Sequence, residues 1–176
     1  INICNSSLFV SIDADTIIEP DSILKLVKPF LEEKDRKVIG TGGVIRIVNS
    51  CEVELGHIRN IHIPEKILPR LQVLEYTRAF LLGRMAWSHL DGLMLISGAM
   101  GIFDRETVIK AGGYSIETVG EDMELVLRMR RYMAEHDQKY EVTYIPDPLC
   151  WTEVPSDLKS LRKQRTRWTR GLAESL

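Results

Sequence analysis

Two aspartates, Asp13 and Asp15, end a short apolar run in the sequence Leu-Phe-Val-Ser-Ile-Asp-Ala-Asp. An apolar run without a polar face predicts a strand that is buried on both sides in a parallel sheet. Residues two apart in a strand point the same way, so both carboxylates would project from the sheet edge where α/β folds bind ligands. Adjacent carboxylates repel each other unless a cation or a proton lies between them. The pair therefore indicates a site for Mg²⁺ or Mn²⁺, which prefer oxygen ligands; the alternative is an acidic turn that caps the next element.

The composition suits one globular domain. The chain has 176 residues, of which 44% are hydrophobic, and a formal net charge of -2 at pH 7. The near balance of charge argues against a protein that coats nucleic acid. The three cysteines, Cys4, Cys51 and Cys150, are widely spaced and form no C-x-x-C pair, which predicts reduced thiols in a cytosolic compartment. The longest apolar stretch, residues 93–103, is too short to cross a bilayer.

Strand and helix signals alternate in the first part of the chain. Asp21 is a suitable N-cap for a helix over residues 22–33, which Pro29 should kink or end early. Residues 37–48 predict two strands around a glycine-rich bend, and the glycines favour close backbone packing over phosphate binding because no G-x-G-x-x-G pattern is present. Residues 49–64 are irregular and polar, which predicts a surface excursion. Together these signals indicate an α/β fold.

A long helix is predicted over residues 70–88. The charged side chains of Glu75, Arg78 and Arg84 are predicted to face solvent, and the alternative is a role near the active site. Residues 92–103 then predict two short strands around a Ser-Gly-Ala sequence. Small residues at such a junction let a ligand approach the backbone, or they form a bulge without any ligand.

The last part of the chain predicts an acidic and a basic helix. The first runs from about residue 119 to 135, and Glu121 and Asp122 in its first turn interact favourably with the helix dipole. A strand is predicted over residues 142–145. The basic helix covers residues 157–176 and combines six arginines and lysines with apolar residues at helical spacing. This pattern indicates a segment facing a polyanion or a membrane surface, or a solvated basic face above a packed Leu/Trp stripe.

Four motifs occur in one order along the chain: D-x-D at 13–15, S-G-A-M-G at 97–101, E-D at 121–122 and Q-x-x-R-W at 164–168. The series closely resembles that of family 2 glycosyltransferases, in particular the processive membrane synthases of cellulose, hyaluronan, chitin oligosaccharides and poly-N-acetylglucosamine. The resemblance covers nearly the whole chain, and Q-x-x-R-W is its most specific element because of its distance from the E-D pair. It implies a GT-A-like (Rossmann-like) α/β fold, with a mixed sheet flanked by helices.

The resemblance also implies roles for individual residues. Asp13 and Asp15 would hold Mg²⁺ or Mn²⁺ against the diphosphate of the donor, and Arg165 and Arg167 can donate to its phosphate oxygens. Asp122 would be the general base for the acceptor hydroxyl, with Glu121 shaping its surroundings. The residues implied to bind the acceptor are Gln164, Trp168, Ser97, Gly98 and Ala99.

The function implied is transfer of a sugar, with inversion, from a UDP-sugar to a growing polysaccharide or oligosaccharide, and UDP-N-acetylglucosamine is the favoured donor. We expect residues 1–176 to be a partial catalytic domain, because the nucleotide-binding βαβ unit expected before Asp13 and the transmembrane helices expected after residue 176 are absent from this sequence. The parent protein would contact the cytoplasmic face of the plasma membrane through flanking regions. The piece alone is expected to be soluble and inactive, and no nucleic-acid partner is expected.

Two other functions are compatible with parts of the sequence. An apolar strand followed by D-x-D-x-T also resembles the haloacid-dehalogenase phosphatases, in which the first aspartate is a nucleophile, but Q-x-x-R-W would then have no role. A non-catalytic module that binds a sugar or a nucleotide is the second alternative, and the intact carboxylates argue against it. Nucleic-acid binding by the basic helix is disfavoured because only one aromatic residue, Trp168, interleaves its charges.

Overall fold

The computed structural model describes Ile3 and residues 5–175, and in them a mixed α/β architecture. The strands are β1 (Leu8–Ile12), β2 (Ile17–Ile18), β3 (Lys37–Ile47), β4 (Glu52–Glu54), β5 (His57–Asn60), β6 (Met100–Asp104) and β7 (Tyr140–Thr152). The helices are α1 (Ser22–Leu31), α2 (Ile67–Tyr76), α3 (Arg84–His89), α4 (Arg105–Lys110), α5 (Glu121–Glu135) and α6 (Leu158–Ser175), and a π-helical segment (Thr77–Gly83) joins α2 to α3.

Five of the strands form one mixed sheet in the order β1-β6-β3-β7-β2. The central pair β3 and β7 is parallel, and the other neighbours are antiparallel. The prediction of a mixed sheet flanked by helices is therefore confirmed. The prediction that β1 is buried on both sides in a parallel sheet is wrong: β1 is an edge strand antiparallel to β6, and Val10 and Ile12 remain 37% and 39% exposed. An apolar run does not reveal how many neighbours a strand has.

β3 is one strand of 11 residues instead of two strands around a bend. Its glycines accommodate large neighbouring side chains instead of turning the chain. A Cβ atom on Gly43 would overlap Cδ1 of Leu149, and one on Gly40 would lie 2.9 Å from Cδ1 of Ile96. The prediction that these glycines serve close packing is confirmed.

The helices largely follow the predicted periodicity. α1 contains Pro29 and ends two residues after it, and α5 and α6 lie close to their predicted bounds. Two further predictions fail. Residues 92–103 were predicted to form two strands, but 92–99 are irregular and only Met100–Asp104 forms a strand. Residues 49–64 were predicted to be irregular, but they contain the β4–β5 hairpin. The irregular segment still contributes the buried side chains of Leu93 and Ile96 to the core.

Cys51 and Cys150 are free thiols, and Cys4 lies outside the described residues. Within the described part of the chain, no helix has both the length and the apolar character needed to span a bilayer.

Candidate active site

The aspartate pair follows the end of β1. Ile12 pairs with Met100 of β6, and the chain then turns, with the Thr16 amide donating to the Asp13 carbonyl at 3.1 Å. This turn brings Asp13 to Gly98, where a Cβ atom would lie 3.4 Å from Oδ1 of the aspartate. The two aspartates thus lie in a turn, beyond the strand that was predicted to direct them.

Asp13 is surrounded mainly by negative charge. Burial raises the pKa of its carboxyl, and the carboxylates of Asp15, Asp122 and Glu121 raise it further. The guanidinium of Arg167 lowers it. Because these effects act over short range, and because Gly98 also lies against Asp13, all four sequence motifs meet around Asp13.

The carboxylate of Asp122 lies at the start of α5 and is held by backbone donors. Its Oδ2 accepts from the Gly98 amide at 3.2 Å, and its Oδ1 accepts from the Met123 amide at 2.9 Å. Burial raises the pKa of Asp122 despite these two hydrogen bonds. A carboxyl group with a raised pKa, fixed by backbone donors, has the properties of a general base.

Helix α6 docks on the segment that precedes Glu121. Gly171 contacts Gly120 so closely that a Cβ atom on either residue would lie 2.7 Å from the Cα atom of the other. The carboxylate of Glu174 accepts from the Val119 amide at 3.0 Å and from the Thr118 hydroxyl at 3.1 Å. These contacts place the Q-x-x-R-W motif beside the carboxylates.

Within that motif the two arginines differ in their partners. The guanidinium of Arg167 lowers the pKa of Asp13. Arg165 instead forms an ion pair with Glu75 at 2.6 Å, and its Cζ atom lies 4.4 Å from the ring centroid of Trp168. The indole of Trp168 is 39% exposed. Oε1 of Gln164 is buried and, among the described residues, accepts no hydrogen bond. Glu75 was expected to face solvent and instead joins α2 to α6.

Sequence reasoning missed three side chains near this cluster. Burial raises the pKa of Tyr114, and Asp122 and Glu121 raise it further, so the phenol lies close to the acidic pair. Burial also raises the pKa of the Cys150 thiol to about 12, with Asp13 contributing. Arg84 was expected on a solvated face, but it is half-buried and its Nη1 atom is fully buried. Burial lowers the pKa of its guanidinium, and Tyr144 and then Asp122 oppose that shift. No spacing rule identifies these residues, because each reaches the site through the fold and not through a motif.

The acidic turn can supply part of a metal site. In the described ranges, no three side chains of His, Cys, Asp or Glu converge as a ligand cluster. Two carboxylates with spare acceptor capacity still fit Mg²⁺ or Mn²⁺, because such ions commonly take one or two carboxylates and complete their shell with phosphate oxygens and water. The like charges that raise the pKa of Asp13 are those that a bound cation would neutralise.

A family model described as "Glycosyl transferase family group 2" matches residues 8–176, and the chain belongs to this family. Among its relatives are the poly-beta-1,6-N-acetyl-D-glucosamine synthases of Staphylococcus epidermidis and Staphylococcus aureus, each 27% identical over 165 residues. These alignments cover 94% of this chain but 35% of each relative, so the chain spans about a third of their length.

A solved structure with a similar fold is the mannosyltransferase PcManGT from Pyrobaculum calidifontis, in complex with GDP-Man and Mn²⁺. It superposes with a TM-score of 0.61 and 18% sequence identity, and the match covers 99% of this chain and 40% of that chain. This similarity confirms the fold class predicted from the motifs.

Proposed function

We propose that this chain carries the catalytic site of an inverting glycosyltransferase, which transfers a sugar from a nucleotide sugar to a saccharide acceptor. The observation that carries the proposal is the convergence of Asp13, Asp15, Glu121, Asp122 and Arg167, which come from three distant parts of the chain. A structural role does not require four carboxylates within electrostatic range of one another, since burial and their repulsion raise the pKa of Asp13 instead of stabilising the fold.

The donor diphosphate would bind at the turn that contains Asp13 and Asp15. A bound Mg²⁺ or Mn²⁺ would neutralise the negative charge that the leaving group develops. Arg167, whose guanidinium lowers the pKa of Asp13, would donate hydrogen bonds to the phosphate oxygens. The fold neighbour that contains GDP-Man and Mn²⁺ supports this assignment. Arg165 is also predicted to bind the diphosphate, but its ion pair with Glu75 would first have to open or be shared.

Asp122 would accept the proton of the acceptor hydroxyl. The hydroxyl oxygen forms a bond to the anomeric carbon while the bond from that carbon to the diphosphate oxygen breaks, and the proton moves to the carboxylate. A single displacement from the side opposite the leaving group inverts the configuration. The two backbone hydrogen bonds that fix Asp122 keep the base in position for this step.

The acceptor would lie against Ser97, Gly98 and Ala99 and the exposed face of Trp168. Gly98 provides an amide and no side chain at this point, so a sugar can approach the backbone closely. The buried, unpaired Oε1 of Gln164 would accept from a sugar hydroxyl. One face of Trp168 is covered by Arg165, which leaves the other for stacking.

The favoured donor is UDP-N-acetylglucosamine, and the growing polymer is the acceptor. The printed names of the staphylococcal relatives support an N-acetylglucosamine substrate. The expectation that the parent protein contacts the cytoplasmic face of the membrane stays a prediction.

The test is release of UDP by the full-length natural protein. UDP-N-acetylglucosamine, UDP-glucose and UDP-glucuronate would be supplied with an acceptor oligosaccharide and with Mn²⁺, Mg²⁺ or EDTA. We expect release from UDP-N-acetylglucosamine with either metal, loss of release in EDTA, and recovery when metal is restored. Absence of release from every donor would contradict the transferase assignment, and metal-dependent hydrolysis of p-nitrophenyl phosphate would favour the phosphatase alternative. Undiminished release in EDTA would contradict the metal assignment alone.

A further inference from the structure

The turn that contains Asp13 and Asp15 connects the two outer strands of the five-stranded sheet. β1 ends at Ile12, β2 begins at Ile17, and the two strands lie at opposite ends of the order β1-β6-β3-β7-β2. In a flat sheet, four inter-strand spacings would separate them by about 19 Å. The chain from Ile12 to Ile17 reaches at most about 18 Å even when it is fully extended.

This connection is not extended, so the sheet has to curl until its two edges approach each other. The Thr16 amide donates to the Asp13 carbonyl at 3.1 Å, which folds the connection into a turn. The pairing of β3 with β7 shifts register between Gly43 and Ile45, and irregular pairing of this kind bends a sheet. The aspartate turn therefore joins the edges of a curled sheet, and its shape depends on the attachment of both edge strands.

The two attachments differ in length. β1 pairs with β6 over its whole span, Leu8–Ile12, whereas β2 pairs with β7 only through Ile17 and Ile18. So short an edge strand opens more readily than a long one. The turn does not compensate through Thr16, because the buried Oγ1 of this residue has no hydrogen-bond partner within the described ranges.

Glu19 adds a side-chain attachment on the weaker side. Its Oε1 accepts from Nε1 of Trp151 at 2.6 Å, and its amide donates to the Leu149 carbonyl at 2.9 Å. The indole is fixed in the fold, because Trp151 is only 2% exposed. A hydrogen bond to a carboxylate is about twice as strong as one between neutral groups. The Glu19–Trp151 hydrogen bond is therefore a strong tie between β2 and β7, four residues after Asp15.

We propose that Glu19 and Trp151 are positioning residues for the divalent cation: their hydrogen bond attaches β2 to β7 and so keeps the Asp13–Asp15 turn in the shape that binds metal together with the donor diphosphate. This inference rests on the proposed function, because it assumes that the turn binds the metal. Both residues act through the backbone between Asp15 and Glu19, and neither is proposed as a ligand.

The experiment compares Glu19→Leu, Glu19→Gln and Trp151→Phe with the wild type in the full-length natural protein. Leucine removes the acceptor, glutamine keeps an acceptor oxygen, and phenylalanine removes the donor. The matched controls are Glu32→Leu, at an exposed acid, and Trp87→Phe, at a tryptophan that is 55% exposed.

Three quantities would be measured for each variant. The electron paramagnetic resonance signal of free Mn²⁺ gives the dissociation constant of Mn²⁺ in the presence of UDP. UDP release from UDP-N-acetylglucosamine at increasing Mn²⁺ gives the half-saturating metal concentration and kcat. Thermal melting reports folding.

We expect Glu19→Leu and Trp151→Phe to raise the Mn²⁺ dissociation constant by about tenfold, as when a site holds its binding shape for about a tenth of the time. The half-saturating Mn²⁺ concentration should rise by the same factor. At saturating Mn²⁺, kcat should stay within about threefold of wild type, because the metal then selects the competent shape. Glu19→Gln should raise the dissociation constant by only about twofold, since a neutral acceptor is weaker. Both controls should behave as wild type.

Several outcomes would overturn the inference. Unchanged Mn²⁺ affinity in Glu19→Leu and Trp151→Phe would do so even if both melt lower, because the hydrogen bond would then serve stability alone. An equal loss in Glu19→Gln and Glu19→Leu would show that the acceptor oxygen is not what matters. If Glu19→Leu and Trp151→Phe do not fold, Glu19→Gln is the deciding variant: weakened Mn²⁺ binding supports the inference and wild-type binding overturns it.

The wild type separates this inference from the proposed function. If it binds Mn²⁺ with UDP and releases UDP while the Glu19 and Trp151 variants match it in metal affinity, only the positioning role fails. If the wild type neither binds Mn²⁺ with UDP nor releases UDP from any donor, the proposed function fails.

Discussion

Carboxylates lie near both ends of strand β6, and their surroundings differ. At one end Asp104 accepts from Nζ of Lys37 at 2.8 Å and from the amide of Thr107 at 2.8 Å, and it caps helix α4. At the other end, beyond Met100, Asp13 and Asp122 lie near each other, and the pKa of each is raised first by burial.

This difference separates a structural acid from the carboxylates that we propose to be functional. Asp104 has its charge and its acceptor capacity satisfied by the protein, so it stabilises the fold and has nothing left for a ligand. The carboxylates around Gly98 keep lone pairs and uncompensated charge, and therefore favour a cation, a proton or a donor hydroxyl. Local sequence alone does not distinguish the two ends, because each has an aspartate beside a strand; only the order of the motifs separates Asp13 and Asp122 from Asp104.

The largest expected effect concerns the functional end. Asp122→Asn should lower kcat for UDP release by about 10²–10⁴-fold, which is the typical contribution of general base catalysis. Binding of the nucleotide should persist, and isothermal titration with UDP would measure it. Asp147→Asn, at an exposed acid paired with Lys25, is the matched control. Normal turnover in Asp122→Asn would remove the distinction between the two ends.

The contact that holds the functional end to α6 should be the next most sensitive. At an exposed helix position, Gly→Ala stabilises by about 1 kcal/mol. Gly171→Ala should instead destabilise the fold by about 1–3 kcal/mol, because the new Cβ would meet the backbone of Gly120 at 2.7 Å. Turnover should fall by about 10²-fold as Asp122 is displaced. Thermal melting and UDP release would be measured beside Thr169→Ala, and a stabilised, active Gly171→Ala would contradict the close contact.

Asp104→Ala tests the structural end. We expect a loss of about 1–3 kcal/mol in the free energy of unfolding, since the change removes an N-cap and leaves Lys37 and Thr107 without their acceptor. Turnover per folded molecule should stay at the wild-type value. Denaturant unfolding and the specific activity of the folded fraction would measure the two quantities. A lowered specific activity at full folding would show that the two ends of β6 are coupled.

The smallest effect is a pH dependence. The folded state raises the pKa of Asp122 above its ordinary value of 3.8, so its ionised form destabilises the fold at neutral pH, and this penalty disappears as the pH falls towards 3.8. The stability of Asp122→Asn relative to wild type should therefore increase as the pH rises from 4 to 7. Melting temperatures in EDTA would show the trend, with Asp147→Asn as the control. A constant difference would mean that Asp122 has an ordinary pKa.

Much of the fold follows from periodicity. Helices α5 and α6 have long amphipathic patterns, and their observed bounds agree closely with the predicted ones. The sheet is less accessible from sequence, because pairing is a non-local property. The apolar residues of β1 predict a strand but not that it lies at an edge, and the glycines of β3 suggest a bend where they admit Leu149 and Ile96.

The candidate site shows the same division. Asp13 and Asp122 were identified because they belong to motifs, and their motif order was informative enough to find the family. Arg84 was assigned to solvent because its neighbours in sequence fit a simple amphipathic helix. Arg84 instead follows a π-helical segment, Thr77–Gly83, and its Nη1 atom is buried; no periodicity in the sequence predicts such a segment. Tyr114 likewise belongs to no sequence motif, and only folding brings its phenol close enough for Asp122 to raise its pKa.

The crossing of Gly120 and Gly171 has a mechanical consequence. Where two backbones touch directly, no rotamer change can absorb a translation of one relative to the other. Any shift of α6 that accompanies engagement of Arg167 or Trp168 must move the first turn of α5 as a rigid body. Under the function proposed above, a saccharide that displaces α6 through Trp168 would therefore also change the position of Asp122.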